Sequence, residues 1–221
     1  MKKLFFISYL ICFSSFSLFA QDSAYEIKGT LNNVETGILF LNIYENGQTI
    51  KDSTFIKNGE FNFHGYISTP FFASLTMPLR KNDFFTFYIE PGVINLVSRT
   101  DSLKNMVAKG SAINEDDQLL KERMKSVSEW EASNSKLYEE AYKKNNMSVM
   151  DSLDQMDNAI LKTKRNVVAD FIKEHPSSVR GAMAIIQNFS YYAEAADVEP
   201  LYNLLEPKVK ASSKGKEIQE M

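Results

Sequence analysis

The stretch KDSTFIKNGEFNFHG, residues 51–65, has the pattern of a β-hairpin. Apolar and polar side chains alternate on both sides of Asn58-Gly59, a dipeptide that favours the type I′ turn of a two-residue loop. In that register Asp52 lies opposite Gly65, on the apolar face of the hairpin. The pattern therefore predicts two paired strands and places a carboxylate where a core is expected.

Short β-branched and aromatic runs continue on both sides of this hairpin, from residue 25 to residue 111. Turn signals such as Pro91-Gly92 separate them. Eight runs with hairpin-length gaps predict an antiparallel β-sandwich or a partly open barrel. The runs are YEIKGTL, GILFLNIY, TIKDSTFIK, EFNFHGYI, FFASLTM, FFTFYIE, VINLVSR and MVAKGS.

The run FFTFYIE, residues 84–90, carries aromatic side chains on both of its faces. Side chains alternate along a strand, so Phe85 and Phe87 point one way while Phe84 and Tyr88 point the other. This pattern predicts a strand that is covered on both faces or that exposes an apolar surface.

Helical periodicity replaces the alternation after Ser111. The charged segments 114–144 and 149–174 predict two long helices, the second with Ser148 and Asp151 as a capping box and with its end at His175-Pro176. A third helix is expected after Ser177 or Ser178, and a fourth is expected to begin at Asp197, with Pro200 in its first turn.

The expected fold class is therefore α+β, with the division near residue 112. A β domain over residues 21–112 precedes a helical connector of about four helices over residues 113–207. Residues 208–221 lack an apolar stripe and are expected to form a linker or the start of a further domain.

The first twenty residues, MKKLFFISYLICFSSFSLFA, have the pattern of a secretory signal peptide. A retained membrane anchor is the alternative, although the apolar run is short for a spanning helix. Cys12 does not follow a small residue, which disfavours a lipoprotein. We expect an exported protein of the periplasm or cell envelope, with no membrane span after signal removal.

Composition and charge exclude several classes of function. Cys12 is the only cysteine, so residues 21–221 hold no thiol for redox chemistry or a disulfide. The net charge of −3 becomes −5 without Lys2 and Lys3, and no basic stripe is present, so nucleic acid is not an expected partner. No pattern with metal-ligand spacing occurs, so neither a metal nor a cofactor is expected.

Asp52 has two interpretations. A carboxylate near a strand end accepts hydrogen bonds from turn N–H groups, and the missing side chain at Gly65 leaves it room. Alternatively, Asp52 and Glu90 meet at one end of the sandwich and form a site for a cation or a sugar. The candidate ligand-binding residues on this interpretation are Asp52, Glu90, Tyr88 and His64.

His64 pairs with Ser53 across the hairpin in the predicted register, which resembles a nucleophile and its base. A Ser-His pair on an open sheet lacks an oxyanion site and an orienting acid, so we expect no catalytic residue here.

Four short segments match the Asp-Ser-apolar or Asp-Ser-Thr acceptor pattern of O-glycosylation found in some Gram-negative envelope proteins. Ser23 and Ser102 are the preferred candidates, ahead of Ser53 in a strand and Ser152 at a helix start. An intact mass equal to that of the bare polypeptide would exclude the modification.

Five motifs in order, YEIKGTL, KDSTFIKNGEFNFHG, FYIEPG, KGSAINE and EHPSS, resemble the N-terminal region of exported thioredoxin-like thiol-disulfide oxidoreductases of Gram-negative envelopes. The resemblance covers residues 25–220. It implies a β domain of unknown function and a helical connector that precede a thioredoxin domain in that family. No residue of this chain matches the family's CxxC pair, so the redox residues are not carried over.

The resemblance implies a non-catalytic module that positions a thioredoxin-like domain, or an envelope client protein, through an aromatic surface and a helical arm. A free-standing envelope binder of a small molecule or glycan, acting at the Asp52 and Glu90 end, is the alternative. A ligand-induced rise in melting temperature would favour the alternative.

Overall fold

The computed structural model describes residues 23–45, 47–189 and 194–221, and the predicted signal peptide lies outside the described residues. The predicted α+β fold is confirmed, because eight strands precede the helices. No helix within the described ranges is long and apolar enough to cross a membrane. The strands are β1 (Ser23–Leu31), β2 (Thr36–Glu45), β3 (Gln48–Lys57), β4 (Glu60–Ile67), β5 (Phe71–Thr76), β6 (Phe84–Ile89), β7 (Gly92–Ser98) and β8 (Val107–Lys109).

The eight strands form one barrel-like sheet in the order β6-β5-β2-β3-β4-β1-β7-β8. Six of the seven neighbouring pairs are antiparallel, and β1 and β7 form the one parallel pair. The prediction of a wholly antiparallel sheet is therefore wrong at this pair. The reason is the turn at Pro91-Gly92, which carries the chain from the β6 edge to a place beside β1 instead of forming a hairpin.

The predicted hairpin forms at its turn and then opens. Asn58 and Gly59 have φ values of 51° and 80°, as a type I′ turn requires, and Lys57 lies opposite Glu60. Beyond that pair β3 stays with β2 and β4 stays with β1. The predicted pairing of Asp52 with Gly65 is wrong, because each strand completes its ladder with its other neighbour.

The barrel encloses one apolar core, to which seven strands contribute. Inward side chains alternate along each strand, for example Leu39, Leu41 and Ile43 on β2. Gly29 leaves room for the ring of Phe61, which would overlap any Cβ added at residue 29. The barrel is open between its two edge strands, β6 and β8, and we call this gap the seam. The two strands and the start of the first helix line a cavity of about 220 Å³ at the seam.

Six α-helices follow the barrel in the described ranges. They are α1 (Ala112–Lys143), α2 (Met147–Glu174), α3 (Val179–Phe189), α4 (Ala195–Leu204), α5 (Pro207–Lys210) and α6 (Ser213–Gln219). The first two helices are antiparallel, and α3 to α6 pack on their barrel-proximal parts around a second apolar core. Beyond Val127 the paired helices bury few side chains, so they extend from this core as an arm of about 25 Å.

Two helix starts differ in detail from the prediction, and the start of α3 confirms it. Asn146, and not Ser148, caps α2, because its side-chain oxygen accepts a hydrogen bond from the Val149 N–H at 3.3 Å. Ser178 caps α3, because its hydroxyl oxygen accepts a hydrogen bond from the Gly181 N–H at 3.1 Å. The fourth helix begins at Ala195, two residues before Asp197, which places Pro200 inside the helix.

Residues 208–221 form helical structure rather than the predicted linker. Val209 and Ile218 are buried in the second core, and Ser212 caps α6 through a bond from the Gly215 N–H at 3.2 Å. The wide spacing of these two apolar residues leaves no stripe that periodicity would detect.

Replacing Gly215 by alanine tests this packing. A Cβ at residue 215 would overlap the backbone of Val209 and Lys210, so we expect α6 to shift and the free energy of unfolding to fall by about 1–3 kcal/mol. Chemical denaturation measures the change. The matched control is Lys216→Ala, an exposed change on the same helix, which should alter the stability by no more than about 0.5 kcal/mol. A linker would tolerate Gly215→Ala without cost.

Candidate functional site

Asp52 lies on the inner side of β3 but is exposed to solvent. It is opposite the buried Leu41 of β2, which confirms that it shares the side of the strand that faces the core. The separation of β3 from β4 leaves this part of the inner side uncovered. Its carboxylate accepts a hydrogen bond from the Ser53 N–H at 2.7 Å.

The space expected for Asp52 at Gly65 is filled by Tyr25 instead. Tyr25 lies opposite Gly65 on β1, and a Cβ at residue 65 would be 2.7 Å from the Tyr25 hydroxyl oxygen. Burial, and then the negative charge of Asp52, raises the pKa of the Tyr25 hydroxyl. Asp52 therefore acts on Tyr25 across the opening between β3 and β4.

His64 and Ser53 do not form the predicted cross-strand pair. His64 lies opposite Glu26 on β1, and Ser53 lies opposite Phe40 on β2. Because β3 and β4 pair only at Lys57 and Glu60, His64 and Ser53 are not cross-strand neighbours. The ligand role of His64 stays a prediction.

Glu90 holds the start of the first helix. Its Oε1 accepts hydrogen bonds from the Ser111 hydroxyl at 2.6 Å and from the Ile113 N–H at 3.2 Å. A carboxylate from the β6–β7 turn thus satisfies an N–H group at the N-terminus of α1. Glu90 and Asp52 have different partners, and the cation or sugar site stays a prediction.

Tyr88 is buried at the joint between the barrel and the helices. It packs with Ile113 and Met183, and the guanidinium of Arg180 lies 5.7 Å from the centre of its ring. Burial, only partly offset by the positive charge of Arg180, raises the pKa of the Tyr88 hydroxyl. On the outer face of β6, Tyr88 is thus covered while Phe84 is 50% exposed, so each alternative predicted for residues 84–90 holds at one end of the strand.

Asp117 and Arg180 form a buried ion pair beside Tyr88. The Nε of Arg180 donates to the Asp117 carboxylate at 2.7 Å, and the Nζ of Lys121 approaches the same carboxylate at 2.7 Å. The Nη1 of Arg180 is buried and has no hydrogen-bond partner within the described ranges. The pair ties α1 to α3.

Asn114 closes the exposed edge of β6 with its side chain. Its Oδ1 accepts from the Tyr88 N–H at 2.8 Å, and its Nδ2 donates to the Tyr88 carbonyl at 2.7 Å. The amide therefore takes the place that a neighbouring strand would occupy. Asn114 was not among the residues predicted from the sequence. Its only signal there is an asparagine in the first turn of a helix, three residues after Ser111.

Large apolar side chains remain exposed on the outer face of β6, β5, β2 and β3. We call this set the outer aromatic face, and it consists of Ile38, Phe40, Tyr44, Phe55, Phe72 and Phe84. Phe72 connects it to the joint, since its ring centre lies 5.5 Å from that of Tyr88 and 5.9 Å from that of Tyr44.

Polar side chains occupy the middle of the outer aromatic face. The amide of Asn42 donates to the Ser74 hydroxyl at 3.4 Å and to the Thr76 hydroxyl at 3.5 Å. The Tyr44 and Ser74 hydroxyls are 3.1 Å apart. On the outward positions of these strands the charged residues are Lys51 and Lys57, both on β3.

A groove of about 570 Å³ opens where β3 leaves β4. Phe55 forms one wall, and its side chain is 68% exposed. The groove is lined by residues 28–30, 54, 55, 57, 60–62 and 95–97. It therefore crosses from the edge of β3 to the outer face of β4, β1 and β7.

Ser102 is already hydrogen-bonded, unlike the exposed Ser23. The Ser102 hydroxyl donates to the Asp83 carboxylate at 2.7 Å and accepts from the Lys104 N–H at 3.3 Å. A sugar on Ser102 would remove that donor, so Ser23 is the more accessible of the two candidate acceptors. Glycosylation stays a prediction for both.

The Asp83 cluster predicts an acid-dependent loss of stability. Burial tends to raise the pKa of Asp83, but hydrogen bonds from Ser102, Lys104 and Leu103 outweigh it and lower the pKa below its ordinary value of 3.8. A lowered folded-state pKa stabilises the fold above the unfolded pKa, and this contribution is lost as pH falls through the folded pKa.

We therefore expect Asp83→Asn to cost about 1 kcal/mol at pH 7 and progressively less below pH 4. Denaturation curves of both proteins between pH 2 and pH 7 measure the difference. Asp101→Asn is the control, because it removes the charge of a carboxylate that is largely exposed. A cost of Asp83→Asn that is the same at every pH would contradict the assignment.

Among residues 23–45, 47–189 and 194–221, no group of three or more histidine, cysteine, aspartate or glutamate side chains could hold a metal ion. Comparison with curated proteins and comparison with solved structures each found no match. Residues 25–116, from the start of β1 through the first turn of α1 that holds Asn114, match the family model described as a domain of unknown function (DUF4369).

Proposed function

We propose that the protein is a non-catalytic binding module of an exported thiol-disulfide system, in which the barrel binds a partner domain and the helices fix its position. The observation that carries the proposal is the outer aromatic face. Large apolar side chains grouped on one sheet face are typical of protein interfaces, where aromatic residues supply most of the binding energy.

The joint supports a positioning role. Tyr88 belongs to the same sheet face as Phe72 and Tyr44, and α3 already covers it with Met183. The outer aromatic face thus continues an interface that the chain itself has formed. A domain bound on the remaining face would lie directly beside the helices and in a fixed orientation to them.

The proposed partner is a thioredoxin-like domain or an envelope client of one. This class comes from the sequence resemblance, and the absence of cysteine from residues 21–221 assigns the redox chemistry to the partner. Asn42, Ser74 and Thr76 offer hydrogen-bonding groups within the apolar surface, which suits a partner with a polar centre and an apolar rim.

The test uses a purified thioredoxin-like domain of an exported oxidoreductase as the probe. Isothermal titration measures its binding to the protein and to Phe84→Ser, which changes a side chain of the outer aromatic face that is 50% exposed. We expect at least a tenfold loss of affinity, equivalent to about 1.4 kcal/mol.

Val93→Ser is the matched control, because Val93 is 44% exposed on the outward side of β7. It should leave the affinity unchanged. No binding at a probe concentration of about 1 mM, or an equal loss in both variants, would contradict the proposal.

The alternative of a free-standing small-molecule or glycan binder has one specific observation in its favour. The groove beside Phe55 joins an exposed aromatic ring to the amides of Asn62 and Asn95, whereas Glu90 is engaged with α1. A rise in melting temperature with a soluble oligosaccharide, abolished by Phe55→Ser, would favour this function.

A further inference from the structure

The β3 strand has a long unpaired edge. Its ten residues pair with β2 without interruption, from Lys57 opposite Thr36 to Gln48 opposite Glu45. On its other side only Lys57 pairs with β4. Among the residues that the structure describes, the backbone N–H and C=O groups that residues 48–56 direct to that side have no partner strand and can pair with one.

This edge has few of the features that usually protect edge strands. Residues 48–57 contain no proline or glycine, and their register with β2 has no bulge. Residues 48–53 are exposed on both faces. Protection comes from charge alone, and Asp52 is an inward-pointing charge on an edge strand, a device that discourages pairing between copies.

Charge disfavours some of the registers in which two copies could pair through β3. An antiparallel pair about a two-fold axis centred on Asp52 sets two carboxylates directly opposite each other, and one centred on Lys51 sets two lysines opposite each other. Like charges in directly opposite positions are destabilising. A different polypeptide with acidic side chains avoids the lysine repulsion and gains opposite-charge pairs with Lys51 and Lys57.

The groove beside the edge suits one side chain of an added strand. Alternate side chains of a strand point to one face, so a strand next to β3 directs every second side chain to the outer face, where the groove lies. Phe55 and Phe61 supply apolar walls, and Lys28 and Lys57 lie at the groove with Glu60.

Charge indicates the kind of segment. Lys51 and Lys57 are the outward charges of β3, and neither has an ion-pair partner in the described part of the chain. The chain as a whole carries a net charge of −3, so this edge contrasts with the rest of the molecule. An acidic segment gains opposite-charge cross-strand pairs here.

We propose that the free edge of β3 binds an extended, acidic peptide segment of a partner protein by strand addition, with one apolar side chain of the peptide in the groove beside Phe55. Main-chain hydrogen bonds give such complexes their affinity, and side-chain pockets give their specificity. This surface shares Phe55 with the outer aromatic face but uses the backbone edge of β3. Phe84 does not line the groove, so the Phe84→Ser variant and the variants of β3 test the two proposals separately.

Selection from a displayed library of random ten-residue peptides tests the proposal. We expect the enriched peptides to carry acidic residues and one apolar residue at positions two apart, because Lys51, Lys57 and the groove beside Phe55 all lie on the outer face. Their binding to Phe55→Ser and to the double variant Lys51→Glu with Lys57→Glu should be at least tenfold weaker, whereas Lys109→Glu on β8 should bind normally. Failure to enrich any sequence, or binding that ignores the β3 variants, would overturn the proposal.

Two further measurements examine strand addition itself. Hydrogen exchange should show that the bound peptide slows exchange at alternate amides of residues 48–56, and N-methylation of alternate peptide amides should abolish binding. Equal binding of the N-methylated peptide would exclude main-chain pairing. A dimer of the free protein with the same amides protected would show that a second copy occupies the edge and would also overturn the proposal.

Discussion

Replacing Asp117 by alanine is expected to lower the free energy of unfolding by about 3–5 kcal/mol, the usual cost of removing one partner of a buried ion pair. Asp117 and Arg180 are both buried. Without the carboxylate, the Arg180 guanidinium stays in the joint with an uncompensated charge, and its Nη1 already has no partner in the described structure. Urea denaturation followed by circular dichroism measures the loss.

Two controls separate the buried charge from other effects. Asp170→Ala removes an exposed carboxylate paired with Lys173 and should change the stability by no more than about 0.5 kcal/mol. The double variant Asp117→Leu with Arg180→Met removes both charges and should cost much less than Asp117→Ala. If the double variant costs as much as the single one, packing rather than charge holds the joint.

Alternation and turn chemistry predicted the strands well because both are local. All eight predicted runs are strands, and the Asn58-Gly59 turn has the expected positive φ values. Which strands pair with each other depends on residues far apart along the chain, and the sequence patterns did not predict this pairing. Nothing in residues 51–65 indicates that β3 finds a complete ladder on β2 and β4 on β1, so the hairpin register did not extend past Lys57.

The candidate site shows the same limit. Asp52 was recognised as unusual from its position in the alternation, and it does lie on the inner side of β3. Its environment follows from the opening of the hairpin, which depends on contacts of β1 and β2 far along the chain. The roles of Glu90 and Asn114 depend on α1 packing at the barrel seam, which periodicity within either segment does not specify.

The joint between the barrel and the helices also explains why β6 carries large apolar side chains on both of its faces. Phe87 and Ile89 complete the barrel core, while Tyr88 belongs to the contact with Met183 and Arg180. One strand thereby takes part in both units, and its exposed edge is closed by Asn114. Loss of any of these contacts should loosen the helices from the barrel before it disrupts the barrel core, because the core residues lie on the opposite side of the strand.

Replacing Asn114 by alanine is expected to cost about 2–4 kcal/mol, since it leaves the buried N–H and C=O groups of Tyr88 without partners and each such group costs about 1–3 kcal/mol. Chemical denaturation measures the total. Hydrogen exchange locates it, because the Tyr88 amide should lose its protection, while the amides of Phe87 and Ile89, which point to β5, should keep theirs. Asn114→Asp should also destabilise, because aspartate lacks the donor to the Tyr88 carbonyl.

Asn158→Ala is the matched control, because its amide makes an exposed bond to the Asp154 carbonyl at 3.2 Å on α2. Its effect should stay within about 0.5 kcal/mol. If Asn114→Ala were equally mild and the Tyr88 amide remained protected, the Asn114 side chain would not be the group that closes the edge of β6. The barrel would then close without α1, and the helices would be held chiefly by the ion pair of Asp117 and by apolar packing around Met183.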